Sequence, residues 1–264
     1  MAFNVNELIL DRVRSIVAND LATTQMLFRL TSIENPSLQT TAEGEEITDA
    51  IGAVITTLYR AKKAKLTGTN SLVSLDLMAA QYGTQKVVGT SSAKIDDITY
   101  DIITVTGEAG ETLSLTHTPK DATDIKYAYA IANGEVGTAY AAGSVASSTE
   151  FVVSAEGAIT PPTGFTGKLY IEYVFENENA IRISNKASNF PEACRLIVYA
   201  YFRDKCNENL IYSGKIVAPK AKLDPSQIEL ALTSTGKHPF EFVMSKDYCN
   251  EGDDELFAVI VSQN

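Results

Sequence analysis

Two histidines and three cysteines are the side chains of this sequence best suited to acid–base, nucleophilic or metal chemistry, and their spacing gives that chemistry no site. His117 follows Leu113 and Leu115 at alternate positions, as on one face of a strand, and His238 sits in the turn-like run Thr235-Gly236-Lys237-His238-Pro239. Neither has a second histidine or a cysteine at ligand spacing, so both read as structural. Cys194, Cys206 and Cys249 are odd in number and widely spaced. Free thiols of a reducing cytoplasm account for them more simply than a disulfide framework or a zinc site. There is no Gly-x-Ser-x-Gly elbow and no dinucleotide fingerprint after a strand. Gly167-Lys168, Gly214-Lys215 and Gly236-Lys237 lack the upstream glycine and the following Ser/Thr of a phosphate loop. Glu251, Asp253, Asp254 and Glu255 offer carboxylates to a hard cation, but without calcium-loop spacing they read as a solvated turn. A carboxylate pair for glycoside cleavage is defined by a distance in space, so a β-rich hydrolase with acidic residues stays as a minor reading. The lack of Trp weakens a sugar-stacking platform, although tyrosine can substitute. The expectation is a protein that is not an enzyme, with no cofactor and no resident metal.

The elements that would have to position such residues are short strands. The chain is 264 residues long, enough for one large or two small domains, and 45% hydrophobic, enough for a real core. Its net charge of −11 makes it a poor candidate for gripping nucleic acid, because phosphate binding is driven by Lys and Arg. Residues 1–6 lack the basic-then-apolar pattern of a signal peptide, and no run approaches the ~20 apolar residues of a membrane span; the expectation is no membrane anchor.

At the N-terminus, Ile9, Val13, Ile16 and Val17 recur at helical spacing after the capping pair Asn4 and Glu7, which predicts a helix ending near Asn19-Asp20. Residues 25–31 and 54–58 read as strands and 76–82 as a helical turn before Gly83. From about Val88 the composition shifts to Gly, Ser, Thr and Ala. Short strands are predicted at 98–105, 113–118, 125–131, 151–153 and 169–175, with turns at Gly107–Gly110 (a hairpin connection), Asn133-Gly134 and Pro161–Gly164. That spacing predicts a small β-sandwich-like domain at 96–177, inserted into a discontinuous β domain of 1–95 and 178–264. Farther on, Cys194, Leu196, Val198, Ala200 and Phe202 alternate with Arg195, Ile197, Tyr199 and Tyr201; both sets are largely apolar, which predicts a central strand covered on both sides. Ile228, Leu230 and Leu232 alternate with Gln227, Glu229, Ala231 and Thr233, as in a half-buried strand.

The strongest charge pattern is an acidic stretch, Glu43, Glu45 and Glu46 through Asp49, followed by the basic Arg60, Lys62, Lys63 and Lys65. Two solvated arms of one hairpin, facing each other with opposite charge, would produce it. So would a contact between subunits, acidic patch to basic patch. Glu43, Glu45, Glu46, Arg60, Lys62, Lys63 and Lys65 are the candidate subunit-interface residues.

The order of pieces carries a resemblance. It comprises Ile55–Ala64 (ITTLYRAKKA), Lys168–Tyr173 with Glu178–Ala180, Phe190-Pro191, Pro219–Lys222 and Ile228–Gly236 (IELALTSTG). Together they resemble structural proteins of tailed double-stranded DNA bacteriophages, most closely their tail tube proteins. The resemblance implies a barrel-like subunit that forms hexameric rings, stacked into a hollow tube through which the genome passes. It also implies location in the virion after synthesis in the host bacterial cytoplasm, with other virion tail proteins as partners and DNA passing without specific binding. The module at 96–177 exceeds a minimal tube subunit. Under this reading the channel face is acidic or neutral, and Glu229 and Glu241, on the polar faces of alternating strands, are the lumen candidates. The alternative is a capsid decoration protein or another virion binding module.

Overall fold

In the computed structural model Leu8–Asp20 is a strand, not the helix expected from its apolar spacing. It pairs with Ala193–Asp204, and the register slips between Leu10 and Arg12 and again between Val13 and Ser15. Each slip is a bulge that adds one residue to the strand. Leu10, Val13 and Ile16 therefore stand opposite Phe202, Ala200 and Val198 and share one face, although they are three residues apart. Bulged alternation has imitated helical periodicity, and the β-branched Val13, Ile16 and Val17 suit the strand better.

The structure describes residues 6–108, 111, 113–207, 209–226, 229–230, 236–246 and 254–263. In chain order the elements are β1 (Leu8–Asp20), β2 (Met26–Leu30), β3 (Ile33–Thr48), β4 (Val54–Asn70), α1 (Leu75–Gln81), β5 (Val87–Val88), β6 (Ile95–Val105), β7 (Leu113–Ser114), β8 (Tyr127–Ala132), β9 (Glu135–Ala142), β10 (Glu150–Val153), β11 (Ala158–Thr160), β12 (Gly167–Asn177), β13 (Ile181–Arg182), β14 (Ala193–Asp204), β15 (Ile211–Leu223), β16 (His238–Met244) and β17 (Ala258–Ser262). The protein is mainly β. It divides into two compact units, Met1–Lys86 with Ile183–Asn264, and Val87–Arg182.

The first unit is built on one nearly closed, barrel-like sheet in the order β2-β1-β14-β15-β16-β4-β3, with β17 also on β15. Every pairing is antiparallel. Its core holds Ile16, Leu30, Leu66, Leu196, Val198 and Phe242, closed by Leu77 of α1. That helix starts where the Ser74 hydroxyl accepts the Leu77 N–H (3.3 Å), a normal N-cap. It ends before Gly83, whose φ of +60° and 2.1 Å approach of a hypothetical Cβ to the Phe190 carbonyl oxygen admit no other residue without a shift. The alternation in β14 is as expected on the core side, where Cys194, Leu196, Val198 and Ala200 are buried. The other face is only partly covered: Arg195 is exposed and Ile197, Tyr199 and Tyr201 are half-buried. An apolar face on a central strand is here a surface of the subunit.

The second unit carries a seven-stranded sheet, β6-β12-β8-β9-β10-β11-β7, and a small pair β13-β5. Phe151, Leu169, Ile171, Ile159 and Leu115 fill its core. The Asn133-Gly134 turn joins β8 to β9 with both φ positive (55° and 83°), the geometry that matches strand twist in a two-residue hairpin. Phe165 N–H closes the turn from Pro162 at 3.0 Å. Among the described residues β6 pairs with β12 and β7 with β11; of the hairpin connection expected at Gly107–Gly110, Ala109 and Gly110 lie outside the described residues. The strand expected at 113–118 stops at Ser114: after Leu115, whose N–H still bonds the Gly157 carbonyl (2.8 Å), the amides turn to side chains. Thr116 N–H donates to the Asp101 carboxylate (2.6 Å) and His117 N–H to the Tyr173 hydroxyl (3.0 Å). Most of the alternating segment 227–233 lies outside the described residues; Glu229 and Leu230 are described and are not in a strand.

Candidate functional site

The histidines are spent on structure. His238 is 1% exposed. Its Nδ1 accepts the Ser74 N–H (3.2 Å), so the ring proton sits on Nε2 and faces the Gln81 Oε1 at 2.7 Å. Gln81 Nε2 in turn donates to the Pro239 carbonyl (2.9 Å). This chain of bonds pins α1 and its leading loop to β16. Burial holds the His238 pKa below its ordinary value, since the charged form would lose its hydration. His117 stacks on Phe175, ring centroids 4.1 Å apart. Burial alone would raise the Asp101 carboxyl, but bonds from the Thr116 amide, the Thr116 hydroxyl (2.8 Å) and the Tyr173 hydroxyl (2.8 Å) outweigh it and hold it below the carboxylate range. The Tyr173 hydroxyl is pushed up to about 12, first by burial and then by Asp101. Among the described residues Cys194 is buried and unpaired, Cys206 exposed and unpaired, and no acidic, His or Cys cluster is placed to hold a metal. Of the acidic turn, Glu251 and Asp253 lie outside the described residues, as does Cys249, and Asp254 is paired with Lys246.

The charged segment Glu43–Lys65 does form a hairpin. Asp49 shapes its turn: the Oδ1 accepts the N–H of Ile51 (3.0 Å) and of Ala53 (2.8 Å), and Asp49 N–H bonds the Ala53 carbonyl (2.9 Å). Only Ala64–Asn70 of β4 pair with β16. From Lys63 outward no other strand among the described residues pairs with either arm, and the run reaches about 30 Å at ~3.3 Å per residue. Gln39–Thr48 are exposed throughout, and Val54–Lys63 are exposed except half-buried Thr57. A bulge at Ala61 and Lys62, with Ala61 at φ +49°, resets the alternation. It puts Glu43, Glu45, Ile47, Leu58 and Arg60 on one face and Gly44, Glu46, Thr57 and Tyr59 on the other. Glu43 pairs with Lys63 (3.0 Å) and Glu45 with Arg60 (3.3 Å), so the acidic and basic arms face each other. Lys65 turns instead to Glu241 (3.3 Å). Glu46 and Lys62 have no ion pair among the described residues. Large apolar side chains cover the distal part: Ile51 is 89% exposed and Tyr59 75%.

Of the two lumen candidates, Glu241 lies on the face of β16 opposite buried Phe240 and Phe242, and Glu229 is an exposed residue outside any strand. They share no element.

With a strand-built core, histidines spent on packing and a long unpartnered hairpin, the molecule has the parts of an assembling subunit, and comparison with known families agrees. The model of the YomU/Tube protein family matches residues 8–252. The chain belongs to that family. The resemblance to phage tail tube proteins read from the sequence is thereby shown, and the YomU/Tube family is one of structural phage proteins rather than an enzyme class. No individually curated protein matches the chain. Among the described residues no helix is long and apolar enough to cross a membrane.

One feature of this YomU/Tube chain escaped the sequence reading. Of its seven arginines, five (Arg12, Arg14, Arg29, Arg195 and Arg203) lie on the adjacent strands β2, β1 and β14. Arg12 and Arg14 sit over the Tyr201 ring at 5.6 and 5.8 Å. Arg203 is paired with Asp11 at 3.3 Å. Arg14, Arg29 and Arg195 line one groove of ≈ 620 Å³ with Val17, Ile197 and Tyr199. The acid of that groove, Asp20, is already committed: Thr23 N–H (2.6 Å) and hydroxyl (2.7 Å) and Ala22 N–H (3.0 Å) bond one of its oxygens. The charge of −11 conceals this patch because the units differ. The first holds 17 basic and 20 acidic residues, the second 5 and 13.

Proposed function

We propose that copies of this chain join into closed rings, hexameric as the family resemblance implies, and that the rings stack into a tail tube through which DNA passes. The observation that carries this reading is the β3–β4 hairpin. A two-stranded hairpin alone is at best marginally stable in water, and this one exposes both faces with Ile51, Val54, Ile55 and Tyr59 on them. Such an element is completed by a neighbour. Among the described residues the sheet of the first unit also ends on open edges at β2, β3 and β17. Open edges invite uncontrolled pairing, and a closed ring removes them. The candidate interface residues are those of the hairpin, Glu43, Glu45, Glu46, Arg60, Lys62, Lys63 and Lys65. The channel face is acidic or neutral, since Lys or Arg along the path would hold DNA by counterion release. The protein acts in the virion, beside other tail proteins, after synthesis in the host cytoplasm.

Electron microscopy of the purified protein, and of protein seeded with virion material, tests this. Hollow tubes of stacked rings are expected; a monomer under both conditions, or a channel lined by Lys and Arg, overturns it. The second reading, a virion binding module, is favoured by the second unit alone. There Tyr100 and Tyr170 stack at 5.0 Å on an open sheet face beside exposed Ile98 and Ile102.

A further inference from the structure

We propose that the groove lined by Arg14, Arg29 and Arg195 receives the hairpin of a second copy of this chain, with Glu43 and Glu45 of the incoming β3 arm as its anions. This rests on the tube reading and names the receiving surface. Three guanidinium groups around one groove repel one another, and among the described residues none of the three has an ion pair. Their planar donors match carboxylates in a two-pronged geometry. The groove is also partly apolar, with Val17, Ile197 and Tyr199 beside the charges. Its occupant must therefore bring carboxylates and apolar side chains on one face. The hairpin face with Glu43, Glu45, Ile47 and Leu58, which also carries Arg60, does so, and its residues are exposed. Its reach of about 30 Å beyond β16 lets it leave its own subunit. Docking exchanges the exposed pairs Glu43–Lys63 and Glu45–Arg60 for pairs shared with the groove, while Lys63 and Arg60 stay close enough to keep local charge balanced. A phosphate backbone is the other anion such a groove could take. A conduit that held DNA on three arginines would not pass it, so the tube reading turns this face toward protein.

Charge exchange across the contact is the test. A groove variant (Arg14→Glu, Arg29→Glu, Arg195→Glu) presents acid to an acidic arm. An arm variant (Glu43→Lys with Lys63→Glu, Glu45→Arg with Arg60→Glu) keeps both pairs within the hairpin but presents a basic β3 arm to a basic groove. Each alone should stay monomeric in sedimentation, and the two sets combined in one chain should assemble again. Thermal melting checks that each variant folds; if the triple groove variant does not, Arg195→Glu alone replaces it. Wild-type-like assembly of either variant, or a folded combined variant that fails to assemble, overturns the proposal. So does a groove variant that assembles normally but loses binding to a double-stranded DNA oligonucleotide, which would make the groove a phosphate site. Failure of the wild-type chain to assemble, alone or seeded, shows before any variant is made and brings down the tube reading itself.

Discussion

Lys63 meets Glu43 at 3.0 Å across the β3–β4 hairpin, and the two side chains remain 66% and 71% exposed. An exposed pair of this kind contributes under about 1 kcal/mol, because water screens it and two long side chains must be held still. The hairpin is thus not locked by its charges. They are free to exchange partners, which is what an assembling surface needs.

Reversing Lys62 and Lys63 to Glu should therefore leave the fold nearly unchanged and block assembly. The expected result is a thermal midpoint within a few degrees of wild type, with tubes absent by microscopy. Normal tubes from this variant would remove the hairpin from the interface.

Stability should fall through His238 as the pH drops below neutral. Its folded pKa is depressed by burial, so the neutral ring contributes stability that is present above the unfolded value near 6.5 and lost as pH falls toward the folded one. Urea denaturation at pH 7.5, 6.5 and 5.5 reads this slope. In His238→Gln, which cannot take up that proton, the slope over this window should flatten.

Asp101 ties the Thr116 segment to β6 by accepting three hydrogen bonds. Asp101→Asn removes the charge and turns part of the acceptor into a donor. A loss of about 1–3 kcal/mol is expected from the unpaired donors left behind. The unfolding transition of residues 87–182 should shift accordingly.

Residues 87–182, expressed alone, should fold. They hold their own core around Phe151, Leu169 and Ile171. A dispersed amide spectrum is the expected outcome, and a collapsed one would show that the unit depends on the rest of the chain.

Phe242 is fully buried and stacks near Phe28 and Phe240. Phe242→Ala should cost about 3–5 kcal/mol, measured by denaturant unfolding, because the cavity it leaves lies between strands that cannot collapse together.

The amino-acid sequence alone determined whatever depends on local pattern. The Asp49–Ala53 turn with oppositely charged arms, the core-facing alternation of Cys194 to Ala200, the helical turn before Gly83 and the Asn133-Gly134 hairpin are each written in a few neighbouring residues, and backbone sterics and strand pleating read them directly. Tertiary structure decided the rest. The strand nature of Leu8–Asp20 was hidden because a bulge lets Val13 and Ile16, spaced as in a helix, share one face, and only pairing with β14 reveals the inserted residue. Glu241 acquired its partner Lys65 from 176 residues away. The arginine groove joins Arg14 and Arg29 to Arg195, a set that no window of sequence contains. A long-range strand pairing places side chains from distant segments side by side, and the register of that pairing is set by the whole sheet, not by either segment.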